Sequence, residues 1–296
     1  MNRRNFVKTT AVGSLAIMAS SCVDTRNSNN YKLGYQLYSI RDKMATDPVE
    51  TLKKLKSVGY QDFEIYGYDP EKDQIYGFSP KEFKMILDDL ELTVSSGHYG
   101  FSDYFAKPDS ALEEFVEQCI IAAKELDSKY ITWPWLDPSL RTKDNYQLLS
   151  DKLNKIGEQV NKSGLGFAYH NHGYEFEKHD GVSGYQIILN ETDPALVKLQ
   201  LDMYWVMHSA DQTPKEIVDS QAGRIVMWHV KDMDKQTRDY TELGNGSIDY
   251  KKVMPDPKKS GLEYFYIEQG GNFAVNSMKS AIDSANYFKE NLRNKL

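Results

Sequence analysis

Eight times between residues 31 and 296, a short apolar or β-branched run is followed by an amphipathic helical pattern, often with its own start signal. Strand-like runs fall at 32–39, 62–66, 92–96, 130–133, 166–170, 197–202, 225–230 and 265–268. Three of the intervening helices open alike: Asp47-Pro48-Val49-Glu50, Ser79-Pro80-Lys81-Glu82 and Thr213-Pro214-Lys215-Glu216. Each supplies a capping oxygen, a proline whose missing N–H is no loss in the first turn, and a glutamate at the third helical position. The other helical stretches run over 110–126, 142–162, 182–189, 250–254 and 277–292. Strands alternating with helices call for parallel pairing. Eight such units in about 265 residues fit a single closed (β/α)8 barrel, whose typical length is about 250 residues. An open doubly wound sheet is the rival, but neither a G-x-G-x-x-G turn nor a Walker A loop is present to support it.

Composition narrows the function. With 27% charged residues, 40% hydrophobic residues, 19 Gly and 10 Pro among 296, the chain is neither disordered nor collagen-like. A net charge of −7 leaves no broad basic footprint for nucleic acid. Two cysteines make no disulfide framework. Cys119 sits among Phe115, Val116, Ile120 and Ile121 and reads as a buried thiol.

Residues 1–22 read as an export signal. Arg3, Arg4 and Lys8 form a positive start, 11–19 an apolar run, and small residues precede Cys22. The Arg3-Arg4 pattern resembles a twin-arginine signal, which exports folded proteins. The run is shorter than the ~20 residues of a spanning helix. Cys22 stands where a lipobox cysteine stands, with Ala19 in place of the usual leucine, so a lipid anchor is expected there. Residues 23–30 are polar and read as a tether, placing the protein in the periplasm or on the bacterial envelope.

In such a barrel chemistry gathers where strands end. The predicted ends carry Gln36, Tyr38 and Arg41; Glu64; His98; Trp133-Pro134-Trp135; His170-Asn171-His172 and Glu175; Asp202; His229 and Lys231; and Glu268-Gln269. Four of the six histidines lie there. Carboxylates grouped with imidazole suit one divalent ion, such as Mn, Co, Zn, Fe or Mg. Such an ion polarises a carbonyl while an acid–base pair moves the neighbouring proton. Glu64, His98, Trp135 and Lys231, with Tyr38 and Arg41, are candidate substrate contacts. His179 and His208 read as structural or surface residues.

Taken in order, several segments resemble the xylose isomerase-like TIM barrels, grouped broadly as sugar phosphate isomerases/epimerases. They are Gly34-Tyr35-Gln36-Leu37-Tyr38-Ser39-Ile40-Arg41, Tyr169-His170-Asn171-His172-Gly173-Tyr174-Glu175-Phe176 and Leu201-Asp202-Met203-Tyr204-Trp205-Val206. His229-Val230-Lys231-Asp232, residues 243–249 and Ile267-Glu268-Gln269 complete the set. The resemblance implies a metal held by Glu175, Asp202, His229 and Glu268, with His170 as the rival ligand from strand five. It implies catalytic roles for His170, His172, Glu175 and Glu268. The implied reaction is proton abstraction α to a carbonyl, in an isomerase or epimerase acting on a keto-sugar or glycoside-derived substrate. The His-Asn-His pattern resembles inosose dehydratases and keto-glycoside lyases equally. A non-catalytic, lipid-anchored sugar-binding barrel is the alternative of another class. A nuclease resembling endonuclease IV is disfavoured by the acidic chain and the single ligand set. Many members of the family associate as homo-oligomers.

Overall fold

The computed structural model describes residues 31–296. The export segment, Cys22 and the tether lie outside the described residues. Eight parallel strands close into a barrel: β1 (Gly34–Gln36), β2 (Asp62–Tyr66), β3 (Thr93–His98), β4 (Tyr130–Trp133), β5 (Gly166–His170), β6 (Lys198–Asp202), β7 (Ile225–Val230) and β8 (Tyr264–Ile267). Each strand pairs with its sequence neighbours, and β8 closes on β1. This is the (β/α)8 architecture expected from the alternation. Helices cover the outside, so a strand such as β7 is buried along its whole length and needs apolar residues on both faces.

Each of the seven links between strands carries a helix of the expected start chemistry or patterning: α1 (Pro48–Ser57), α2 (Pro80–Asp89), α3 (Asp109–Glu125), α4 (Lys143–Lys162), α5 (Gly184–Glu191), α6 (Pro214–Ser220) and the short α7 (Tyr250–Val253). α8 (Ser277–Asn291) ends the barrel. The Asp47 side chain accepts from the Glu50 N–H at 2.9 Å. Ser79 with Glu82 and Thr213 with Glu216 form reciprocal capping boxes. Cys119 is buried in α3 as a free thiol. No described helix is long and apolar enough to cross a membrane.

One boundary departs from the periodicity for a local reason. β1 stops at Gln36 because the Gln36 side chain accepts from the Tyr38 N–H at 3.0 Å and caps a 3-10 turn, Leu37–Ile40. At Gly34 a side chain would collide with the Phe265 carbonyl, so the β1–β8 seam requires glycine.

Inside the barrel, Tyr130, Ala168, Val226, Met227 and Tyr266 form a compact apolar plug separate from the larger core between strands and helices. Asp62 and Ser95 bond to each other beside it, and Ser95 meets the Tyr266 hydroxyl at 2.5 Å. The plug closes the interior from below, and the polar side chains above it are held in a water-poor space.

Candidate active site

Strand register builds the upper layer. β6 and β7 pair so that Asp202 lies beside His229, and Glu268 follows the last residue of β8. Ligand atoms of Asp202, His229 and Glu268 all lie within 4.8 Å of one another, and all three residues are buried. His229 Nδ1 is 2.5 Å from Glu268 Oε2. The Lys231 ammonium stands between the carboxylates, 2.5 Å from Asp202 Oδ2 and 2.8 Å from Glu268 Oε2. Asp202 also caps the short helix Met203–Ser209, its Oδ1 accepting from the Trp205 N–H at 3.1 Å. Its capping and its place in the charged group use different oxygens.

A second layer supports the first, and Glu64 is its centre. Glu64 Oε2 accepts from Gln36 Nε2 at 2.7 Å and lies 2.6 Å from His229 Nε2 and 3.1 Å from His98 Nε2. Glu64 Oε1 accepts from Ser96 and Gln200, each at 2.7 Å. Glu64, expected to touch substrate, thus orients His229, while His98, expected likewise, meets Gln200 Oε1 at 2.7 Å, stacks 5.5 Å from the His229 ring and has a ring nitrogen grouped with those of His170 and His229. Gln36, named at the end of strand one, and Gln200, not distinguished in the sequence because an amide side chain at an inward position carries no charge signal, complete this shell. Gln36↔Glu64 and Glu64↔Ser96 are register pairs and were in principle deducible.

The charges sustain one another. Burial alone pushes Glu64 up, but His98 and His229 outweigh it and hold its carboxyl well below the ordinary range. Burial likewise raises Glu268, and Lys231 and His229 override it downward. Burial depresses His229, yet Glu64 and Glu268 lift it to about 9. Lys231 is held protonated by Asp202 and Glu268 despite its burial. Asp202 keeps a raised proton affinity, dominated by desolvation.

Strand five places its two candidate ligands, Glu175 and the rival His170, apart. Alternation sends neighbouring residues to opposite faces. His170 Nε2 lies 3.7 Å from Asp202 Oδ2, and its ring is 4.6 Å from that of His229. Tyr169 turns the other way and donates its hydroxyl to Glu175 Oε1 at 2.8 Å. Glu175 lies in a 3-10 turn, Tyr174–Phe176, that folds its carboxylate back onto the His172 N–H, 2.8 Å from Oε2. Glu175 is therefore not brought into the Asp202–His229–Glu268 group, where it was expected as ligand and catalytic residue. Burial lifts it to about 7. His170 is the strand-five side chain at the charged group. Burial keeps His170 and His172 well below the usual imidazole value, so both are neutral.

The remaining expected residues divide. Tyr38, 42% exposed, carries the Arg41 guanidinium 4.3 Å above its ring and packs against Tyr66. Arg41 bonds back to the Tyr38 carbonyl at 2.9 Å, so these two partner each other and are not drawn into the charged group. Trp133, Trp228 and Tyr204 are buried in the core. Trp135 is 41% exposed beside His172. His179 packs on Tyr146, and His208 lines a pocket with Trp135 and Trp205. Asp232 accepts from the Gly244, Gly246 and Ile248 N–H groups at 2.8, 3.1 and 3.1 Å, clasping the loop after β7. A side chain at Gly246 would collide with that carboxylate.

Two carboxylates and an imidazole converging in a buried layer, with His170 beside them and its Nδ1 without a partner, fit the donor set of one divalent cation. Comparison with known proteins agrees on the fold. The xylose isomerase-like TIM barrel family model matches residues 52–290. A sugar phosphate isomerase/epimerase from Parabacteroides distasonis ATCC 8503 superposes with TM-score 0.78 at 25% identity, covering 94% of this chain and 99% of that one. The IOLI protein with a bound zinc atom superposes with TM-score 0.69 at 15% identity, over 90% of this chain and 99% of that one, a likeness of fold alone. An inosose dehydratase of Geobacillus thermodenitrificans (strain NG80-2) is 24% identical over 169 residues, 50% of this chain and 55% of that protein. The chain thus spans about half the length of the curated relatives it matches.

Proposed function

This chain belongs to the xylose isomerase-like TIM barrel family, and we propose that it is an exported, divalent-metal-dependent enzyme that abstracts a proton α to a carbonyl of a keto-sugar or glycoside-derived substrate. The observation that carries this reading is the buried Asp202–His229–Glu268 group. Those three residues hold the ion, and His170 takes the strand-five position that the sequence reading assigned to Glu175. The ion supplies polarisation of the substrate carbonyl.

The chain's own residues do the rest. Lys231 stays protonated and donates to substrate oxygens once an ion shares its carboxylates. Glu64 holds His229 in one orientation, as an outer carboxylate does for a metal-binding imidazole. His172, neutral and with its ring 4.8 Å from that of His170, is the proton acceptor of this reading. Delivery of a proton to the opposite face by a second acid gives an epimer; return of the His172 proton to the former carbonyl carbon, with the neighbouring hydroxyl proton passing to the carbonyl oxygen, gives an isomer. Loss of a β-hydroxyl instead gives a dehydratase, an outcome that the partial likeness to inosose dehydratases favours. The twin-arginine-like start supports export of the folded protein, and Cys22 its attachment by lipid. Outside the cytoplasm free sugars and glycosides are the commoner encounter, which favours them over phosphate esters.

The test is proton exchange. Mn-loaded protein is incubated in D2O with ketohexoses and with an inosose, followed by NMR. Deuterium appearing α to the carbonyl, absent with Asp202→Ala and His170→Ala, is expected; loss of water from the inosose identifies the dehydratase. A purified protein that binds no divalent ion when ions are supplied overturns the enzyme reading in favour of a sugar-binding barrel.

A further inference from the structure

Beside the charged group, on the far side of His172, lies a pocket of about 500 Å³. That is within the size range of small-molecule sites. Its walls are aromatic: Trp135, Tyr174 and Trp205, with His172, His208 and Arg141. The Arg141 guanidinium lies 4.4 Å from the centre of the Trp135 ring and 3.5 Å from that of Tyr174. Its Nε donates to the Leu136 carbonyl at 3.0 Å, which fixes the side chain in place. Its Nη2 is buried without an acceptor. Trp205 Nε1 and His172 Nδ1 are buried without a partner as well. Buried polar groups are rarely left unmet, and each unmet one is destabilising unless something else satisfies it. These atoms are closed to solvent and face the packed walls, while the pocket itself is offered the half-exposed rings of Trp135 and Trp205 as aromatic surface.

The chemistry of the walls selects its class. The Arg141 guanidinium offers donors, Glu177 a carboxylate acceptor, and His208 and Ser209 can do either. Aromatic faces offer flat apolar surface. A ring with an apolar C–H face and an edge of hydroxyls, each both donor and acceptor, answers all of these, which describes a sugar ring. The pocket also adjoins the charged group. The His172 ring is 5.2 Å from Trp135 and 5.7 Å from Trp205 on one side, and 4.8 Å from His170 on the other. His172 stands between this pocket and the charged group, so a ligand of two linked rings seated here directs its second ring past His172 toward that group.

We propose that the Trp135–Arg141–Trp205 pocket is a second carbohydrate subsite, holding the non-reacting glycosyl ring of a disaccharide-like substrate whose carbonyl-bearing ring lies at the Asp202–His229–Glu268 group. The inference rests on the function proposed above for its second ring, but the subsite itself is read independently of any metal.

Intrinsic fluorescence tests it. Trp133 and Trp228 are fully buried in the core, so sugar-dependent changes report on Trp135 and Trp205. The whole protein is titrated with cellobiose, maltose, gentiobiose, trehalose and glucose, with and without a chelator, and separately with Mn alone. At least one disaccharide should bind about 10-fold more tightly than glucose. Trp135→Ala and Arg141→Gln should each weaken it about 10-fold, the scale of a lost stacking or charge-assisted contact. Both variants should keep wild-type Mn affinity. Trp135 is partly exposed, so its truncation leaves the core intact. The proposal is overturned if no disaccharide outbinds glucose, or if neither variant loses affinity. Failure of Mn to bind the wild-type protein overturns the proposed function instead, and leaves the sugar titration readable.

Discussion

Lys231 sits where, on the proposed function, a divalent ion would compete with the protein for the same oxygens. Its ammonium contacts Asp202 and Glu268 at 2.5 and 2.8 Å, and those carboxylates are two of the three clustered donors. Lys231→Met preserves the length of the side chain and removes its charge. Removing one partner from a buried ion pair costs roughly 3–5 kcal/mol. Two features pull this case to the lower end. Asp202 already has a raised proton affinity from burial and takes up a proton readily. His229 remains to offset Glu268. The expected loss is about 3 kcal/mol, which at roughly 2 °C per kcal/mol for a domain of this size lowers the melting midpoint by about 6 °C. An ion meets no ammonium in the variant, so it binds more tightly there than in the wild type. At roughly 1,000 times its Kd it returns about 4 kcal/mol and erases the deficit. Thermal melts of both proteins in chelator and along a Mn titration measure this. A metal-free midpoint unchanged by the substitution, or equal stabilisation of both proteins by Mn, would refute the argument that ammonium and ion share one set of oxygens.

Other expectations follow from single contacts. Burial pushes Asp62 up to about 6 against the hydrogen bonds of Ser95 and Thr93. An acid held above its unfolded value favours folding only while protonated, so its penalty is absent below about pH 4 and reaches about 3 kcal/mol above pH 6. Asp62→Asn should therefore gain up to about 2 kcal/mol over wild type in urea unfolding at pH 7.5 and almost nothing at pH 4, and a pH-independent difference between the two proteins would contradict it. Glu64→Gln should weaken Mn binding about 10–100-fold by calorimetry while the fold persists, the usual consequence of losing an outer-shell carboxylate. Glu175→Gln should keep the metal content of the wild type, whereas Asp202→Asn should lose it; the reverse result by mass spectrometry would restore Glu175 as the ligand.

The barrel was legible because its grammar is local. Caps such as Ser79-Pro80-Lys81-Glu82 announce their helices regardless of what they pack against. The runs at β2, β4, β5 and β7 are bounded by their own sequence. The site was only half legible, since its partners are set by closure of the ring. Asp202, His229 and Glu268 sit at strand ends, and strand ends of a parallel barrel converge wherever they fall in the chain. The Glu64–His229 contact joins residues 165 apart and exists only because β2 and β7 face each other across the interior. Glu175 shows the opposite failure. It is near β5 in sequence, but proximity does not say which face a turn presents, and the Tyr174–Phe176 turn presents it to Tyr169 on the outside of the strand.

That misplacement changes the chemistry expected of the site. A carboxylate from strand five would make the group more anionic and leave Lys231 with three acids to balance. With neutral His170 in its place, Lys231 and His229 face Asp202, Glu268 and Glu64, so a single additional divalent charge is not demanded by the protein's own balance. On the proposed function the ion would instead be held by geometry and by the pinned orientation of His229, with the ammonium yielding one or both of its carboxylates. Such a site would bind metal conditionally, more tightly when a substrate oxygen takes over the Lys231 proton donors. A substrate analogue bearing a carbonyl and an adjacent hydroxyl should then lower the apparent Kd for Mn in the wild type, by the same factor that Mn lowers the Kd for the analogue. In Lys231→Met that coupling should vanish, because no ammonium remains to be redirected. Calorimetric titration of each ligand in the presence and absence of the other reads the coupling directly. Coupling of equal size in both proteins would show that Lys231 serves the fold alone and takes no part in handing the carboxylates to the ion.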